Sequence, residues 1–214
     1  MTSGQPSLPA RWCRCRPLML LSIFLILQAG LCQAQAEPVK FPEYKVISDN
    51  VRFWEKVYST HSVNTAIIHD QYDLSVVYAT VDLLEDGFAN ASKHNREKIR
   101  QVKRHIESVL LELAASPSPR TREQKRIAAL FTNTRNGSVY KKASGNIRSQ
   151  RGLKERFLEG VIRSGAYMIE LKKIFRSLGL PEDLTYLPHV ESSFNPRAFS
   201  KFGAAGMWQF THDT

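Results

Sequence analysis

Cysteine is absent from residue 33 onward, since Cys13, Cys15 and Cys32 all lie near the start, so most of the chain forms neither a disulfide nor a thiolate metal site. Histidine is sparse too. His61, His69, His94, His105, His189 and His212 include no pair at zinc-ligand spacing, so no metal site is expected. No acid precedes Glu37, and the apolar run Leu18–Leu27 has ten residues, well short of the ~20 of a membrane-spanning helix. No internal repeat and no strand-like alternation stand out, which leaves helical periodicity as the main structural signal.

An acid-free start with Arg11, Arg14 and Arg16, a short apolar core and the small-residue site Ala34-Gln35-Ala36 together read as an export signal over residues 1–36. The expected destination is the periplasm or cell envelope, with membrane association through an uncleaved leader or a lipid on Cys32 as the competing form. Thirty Lys and Arg against twenty Asp and Glu give a net charge of +10, of which the leader holds three arginines. A basic protein outside the cytoplasm suits an acidic cell-wall polymer, and nucleic acid is out of reach as a partner.

Beyond the leader, Phe41 to Ile68 shows no sustained period and reads as irregular with short helical pieces. Val76, Val77, Val81, Leu84 and Phe88 are spaced for an amphipathic helix over 73–91. A second helix, capped by Ser92, carries the stripe Ile99, Val102, Ile106, Val109, Leu110 and Leu113 and stops before Pro117 and Pro119. Thr121 with Gln124 forms a capping box for a short helix ending near Asn136-Gly137, and polar residues 132–149 read as a linker. Leu153 to Phe175 resumes a helical pattern, broken at Ser164-Gly165 and ended by Gly179. The expected fold is therefore all-α: a helical region over 37–145, a lead-in helix over 146–166 and a C-terminal domain over 167–214.

The chemistry concentrates after Gly179. Pro181, Glu182 and Asp183 suit a helix start, and Asn195-Pro196 a turn after its end. Leu180, Leu184, Leu187 and Glu191 are spaced by four, three and four, which on a continuous α-helix aims one carboxylate at apolar surroundings. Such surroundings raise a carboxyl pKa, as a general acid near neutral pH requires, although a helix-terminal Glu curling into solvent fits the spacing as well.

Glu191-Ser192, Phe194-Asn195-Pro196, Ser200, Gly203-Ala204-Ala205-Gly206 and Met207-Trp208-Gln209-Phe210 occur in this order, preceded by Asn146-Ile147-Arg148, Arg151-Gly152, Arg156-Phe157 and Glu159-Gly160. This series resembles the soluble lytic transglycosylase family over residues 146–214. The resemblance implies a lysozyme-like domain that acts on peptidoglycan glycan strands and cuts between N-acetylmuramic acid and N-acetylglucosamine without consuming water or needing a cofactor. It implies Glu191 as the single catalytic carboxyl, protonating the leaving oxygen and then deprotonating the C6 hydroxyl that closes a 1,6-anhydro ring. It also implies Ser192, Ser200, Gly206, Met207, Trp208, Gln209 and Phe210 as substrate-binding residues. Core packing is the competing role for Gly206, Trp208, Gln209 and Phe210, more so for Phe210 than for Gln209.

Only residues 192–214 follow the acid, and the family's later Asn-Ala-Gly-like motif and downstream tyrosine are not among them. The chain therefore reads as carrying the N-terminal part of the domain. Its apolar side chains from Leu180 to Phe210 are expected to lack cover, leaving the C-terminal unit unstable and unable to release anhydro products. An inactive peptidoglycan-binding or scaffolding protein is the other reading.

Overall fold

The computed structural model describes residues 41–131 and 136–211, so the expected export signal and Cys32 lie outside the described residues. Among them, no helix is long and apolar enough to cross a membrane. The fold is mixed rather than all-α. A three-stranded antiparallel sheet, ordered β2-β1-β3, is made by β1 (Thr65–Asp70), β2 (Val77–Asp82) and β3 (Ile147–Arg151). Helices cover both of its faces.

After a 3-10 turn at Lys45–Ile47, α1 spans Ser48–Ser59 and buries Phe53 and Val57 against Ile67 of β1. On the opposite face Ala66 and Ile68 join the main core with α2 (Ala91–Ala115), α3 (Arg122–Ala128) and α4 (Gly137–Ser144). With both faces covered, the central strand is an unbroken buried run from Ala66 to Asp70 and not an alternating one, which is why it escapes a search for period two.

The helix expected over 73–91 is instead β2 followed by a loop. Val76, Val77, Tyr78, Thr80 and Val81 are β-branched or aromatic residues that suit a strand, and Ala66, Ile67 and Ile68 pair with Val81, Thr80 and Ala79. Leu84 and Phe88, the outer members of the supposed stripe, are exposed. The buried Asn95 of α2 fixes this loop, accepting from the Leu84 amide and donating to its carbonyl, each at 2.8 Å. These bonds replace those a helix would have made.

Elsewhere the periodicity holds. The α2 stripe buries Ile106, Val109, Leu110 and Leu113, and the helix ends at Ala115. Its N-cap is Asn90 at φ 60°, while Ser92 accepts a bond from Arg96. The capping box is present: Gln124 donates its amide to the Thr121 hydroxyl at 3.1 Å, and its side chain accepts from the Thr121 amide. The expected linker over 132–149 is replaced in its described part by α4 and the start of β3. Asn136, placed as a helix end, caps the start of α4 by accepting from the Val139 amide. The lead-in helix over 146–166 is a strand followed by α5 (Lys154–Ser164). β3 is an edge strand with only Ile147 buried and arginines at 148 and 151, so no apolar rhythm marks it.

The chain leaves β3 through Gly152, whose amide donates to the Thr65 carbonyl at 2.9 Å. A Cβ there would fall on the backbone carbonyl oxygens of His61 and Ser62. Leu153 then donates to Val57 and Lys154 to His61, fastening the head of α5 to the end of α1 and the turn after it. Helix α1 thus supports the sheet with one side and α5 with another.

Candidate active site

Helix α6 (Met168–Ser177) ends where Gly179 takes φ +67°, a left-handed conformation that glycine adopts without steric cost. Pro181 opens a 3-10 turn over Glu182–Tyr186, tied back by the Arg176–Glu182 ion pair at 2.8 Å. Only the single turn α7 (Leu187–Glu191), with Pro188 in its first positions, is α-helical. The continuous helix behind the Leu180, Leu184, Leu187, Glu191 spacing therefore does not exist. A 3-10 turn advances about 120° per residue, from its 3.0 residues per turn, and that rotation breaks the register. Leu180 and Leu187 are exposed, and so is Glu191, so of the two settings its spacing allowed the carboxylate takes the one that turns into solvent. Its carboxylate enters no ion pair or side-chain hydrogen bond among the described residues, unlike Glu159 with Arg163 and Glu182 with Arg176.

Beyond the acid the chain turns sharply. Ser193 and Phe194 take φ 54° and 55°, left-handed values that cost a non-glycine residue roughly 1–3 kcal/mol each. Phe194 offsets much of this by complete burial, worth about 2–3 kcal/mol, with its ring 4.5 Å from His189 and stacked on Tyr167 at 6.3 Å. Helix α5 grips the turn from outside. Arg163 donates to the Ser193 carbonyl at 2.8 Å, and Gly160 lies so close that a Cβ would sit 3.0 Å from the Ser193 Cα.

The residues expected to bind substrate come together, and most of them hold the loop. The Ser192 hydroxyl donates to the Met207 carbonyl at 2.8 Å and accepts from the Asn195 amide, clamping the acid's helix to the second loop. Ser200 accepts from the amides of Phe202 and Ala204. Gly206 takes φ +75° and donates its amide to Ala198, while the Gln209 side chain donates to the Gly206 carbonyl at 2.9 Å. Trp208 is partly buried and stacks between Phe175 at 5.8 Å and Phe210 at 6.3 Å. Phe210, the stronger candidate for core packing, is 60% exposed. Among these residues the Glu191 carboxylate and Phe210 are exposed, and the side chains of Met207 and Trp208 are partly exposed.

The C-terminal unit covers part of its own apolar surface. Phe194 is buried against Tyr167 and His189, and Trp208 lies on Phe175 of α6, whereas Phe199 and Phe202 stay exposed at 77% and 93%. From the lead-in side, α5 adds Phe157 against His189 and the Arg163 bond to the Ser193 carbonyl.

Beside α7 lies a cavity of about 750 Å³, within the range of ligand pockets. Glu55 and Tyr58 of α1, Phe157 of α5, Lys172 of α6, and Tyr186 and Val190 near the acid are among its lining residues. His189 also lines it, 91% buried among Phe157, Tyr186 and Phe194, with an Nδ1 that has no hydrogen-bond partner. Burial disfavours the imidazolium and lowers the His189 pKa below its usual 6.5. In the unfolded chain the ring regains its ordinary pKa and binds the proton more readily, so this contribution to stability is complete above pH 6.5 and is lost as pH falls through that value toward the folded pKa. Thermal unfolding at several pH values should show that loss in the native chain and a weaker one in His189→Phe. Equal slopes would place the acid sensitivity on other groups.

Sequence reasoning passed over His189, Tyr58 and Phe157 as site residues. His189 stands two residues before the acid, a usable signal. Tyr58 carries none, because it comes from a helix far away in the chain.

No curated protein and no solved structure matches the chain significantly. Residues 172–214 match the Transglycosylase SLT domain, a stretch that begins in α6 and spans Glu191, the Ser192 clamp and every loop residue through Phe210.

Proposed function

We propose that the chain is an exported peptidoglycan lytic transglycosylase acting in cell-wall turnover, most akin to membrane-bound lytic murein transglycosylase D, with Glu191 as its acid and base. The observation that carries this reading is an exposed carboxylate free of ion pairs, held at a fixed place by the Ser192–Met207 clamp inside the segment that matches the SLT domain. A carboxylate engaged in structural ion pairs would be less free to exchange protons.

In the proposed reaction the protonated Glu191 gives its proton to the oxygen linking N-acetylmuramic acid to N-acetylglucosamine, and the bond from that oxygen to the muramoyl C1 breaks. The substrate's own N-acetyl group supports the electron-poor C1, supplying the second group that ordinary glycosidases take from a further carboxylate. The muramoyl C6 hydroxyl then bonds to C1 and passes its proton to Glu191, which restores the acid and consumes no water. Trp208 and Phe210 offer aromatic surface to the sugar rings, and the clamped loop keeps that surface in register with the acid.

Incubating the purified 214-residue chain with peptidoglycan sacculi and identifying the soluble products by mass tests the proposal. Muropeptides with 1,6-anhydro ends are the expected product, in revision of the inactivity expected from sequence, because Phe194 and Trp208 find packing partners within residues 167–214. Hydrated reducing ends would mark a hydrolase, and binding to sacculi without any release would mark a glycan-binding protein.

A further inference from the structure

Tyr58 lies on α1, outside the segment that matches the SLT domain, yet it shares a cavity wall with His189 and Val190, the two residues before Glu191. Its ring is fixed in a row of aromatic contacts. It stacks on Trp54 at 5.9 Å and meets Phe157 at 5.3 Å, and Phe157 in turn meets His189 at 5.4 Å. Through this row α1 is tied to the helix that ends in the acid. The ring is half-buried, and the hydroxyl has no hydrogen-bond partner among the described residues. Burial first, then the negative charge of Glu191, hold the phenol above its ordinary pKa of 10.0, so it stays a protonated donor within electrostatic reach of that carboxylate. A half-buried hydroxyl with no protein partner, within electrostatic reach of the Glu191 carboxylate, is free to donate to an acceptor oxygen of a ligand in this cavity.

We propose that Tyr58 is a substrate-binding residue of the site at Glu191, its hydroxyl donating to a hydroxyl or acetamido oxygen of the bound glycan. The assignment rests on the glycan reading above and extends the site beyond the matched segment. N-acetylated sugars present many such oxygens, and a donor held by two neighbouring rings loses little side-chain freedom on binding.

The test compares Glu191→Gln with the double variant Glu191→Gln/Tyr58→Phe in the full 214-residue chain, titrating each by calorimetry with peptide-free peptidoglycan glycan strands of defined length. The Gln background prevents turnover during the titration. Phenylalanine keeps the ring contacts and removes only the hydroxyl, so the expected result is an unchanged melting temperature and affinity weakened by about 3- to 10-fold, the worth of one net hydrogen bond. Tyr44→Phe, on an exposed ring that is not among the cavity's lining residues, should leave the affinity in place. Equal affinities with and without the Tyr58 hydroxyl overturn this assignment and leave the glycan reading standing. A lowered melting temperature with unchanged affinity makes the hydroxyl structural and likewise overturns it. If Glu191→Gln binds no glycan at all, the functional reading fails and Tyr58 falls with it.

Discussion

Glu191→Gln is expected to lower anhydro-muropeptide release from sacculi by about 10²- to 10⁴-fold, the usual contribution of a positioned proton donor. The substitution keeps shape and hydrogen-bonding capacity while removing the titrating proton. Folding should be nearly untouched, because the side chain is exposed and holds no ion pair among the described residues. Glycan binding should also persist, since Trp208, Phe210 and the clamped loop do not depend on the carboxylate. Neighbouring acids make informative controls. Glu182 is engaged with Arg176, and replacing it should change stability slightly and turnover little. Near-normal release by Glu191→Gln would remove this residue from the chemistry.

Gly152→Ala should cause the largest loss of stability. The added methyl group would land on the carbonyl oxygens of His61 and Ser62, and backbone atoms on both sides cannot swing away as a flexible side chain could. Relief would have to come from moving the 61–65 segment, which holds the Gly152 amide at Thr65, or from pulling α5 off α1. Overpacking of this kind costs about 3 kcal/mol, or roughly 6–12 °C in melting temperature for a chain of this size. Gly87→Ala is the matched control, since nothing lies within 4 Å of its Cβ position. A Gly152→Ala protein melting together with the parent would show that the junction yields easily.

Where one strong local rule acts alone, the sequence was readable. The α2 stripe from Ile99 to Leu113 has one buried side and a proline stop, and Thr121 with Gln124 marks a helix start through a bond that any such pair can make. The sheet was hidden for three separate reasons. β1 is covered on both faces, β3 is a charged edge, and the valines of β2 happen to fall near helical spacing. At the site, the motif residues were found, but their duties were legible only in three dimensions. The Ser192 hydroxyl serves Met207, and the Gln209 amide serves its own loop. Of the two settings the spacing left open for Glu191, the structure has the exposed one, because a 3-10 turn interrupts the periodicity.

Helix α1 is the element common to both halves of this architecture. Phe53 and Val57 seal one face of the sheet, while Trp54 and Tyr58 begin the row of rings that reaches His189 and Phe194. A helix with two such duties makes the sheet and the C-terminal turns a single cooperative unit for amide exchange, since detaching α1 exposes the core and releases the acid's support in one event. Mutational drift on α1 is then constrained twice over, by the burial of one side and by the aromatic register of the other.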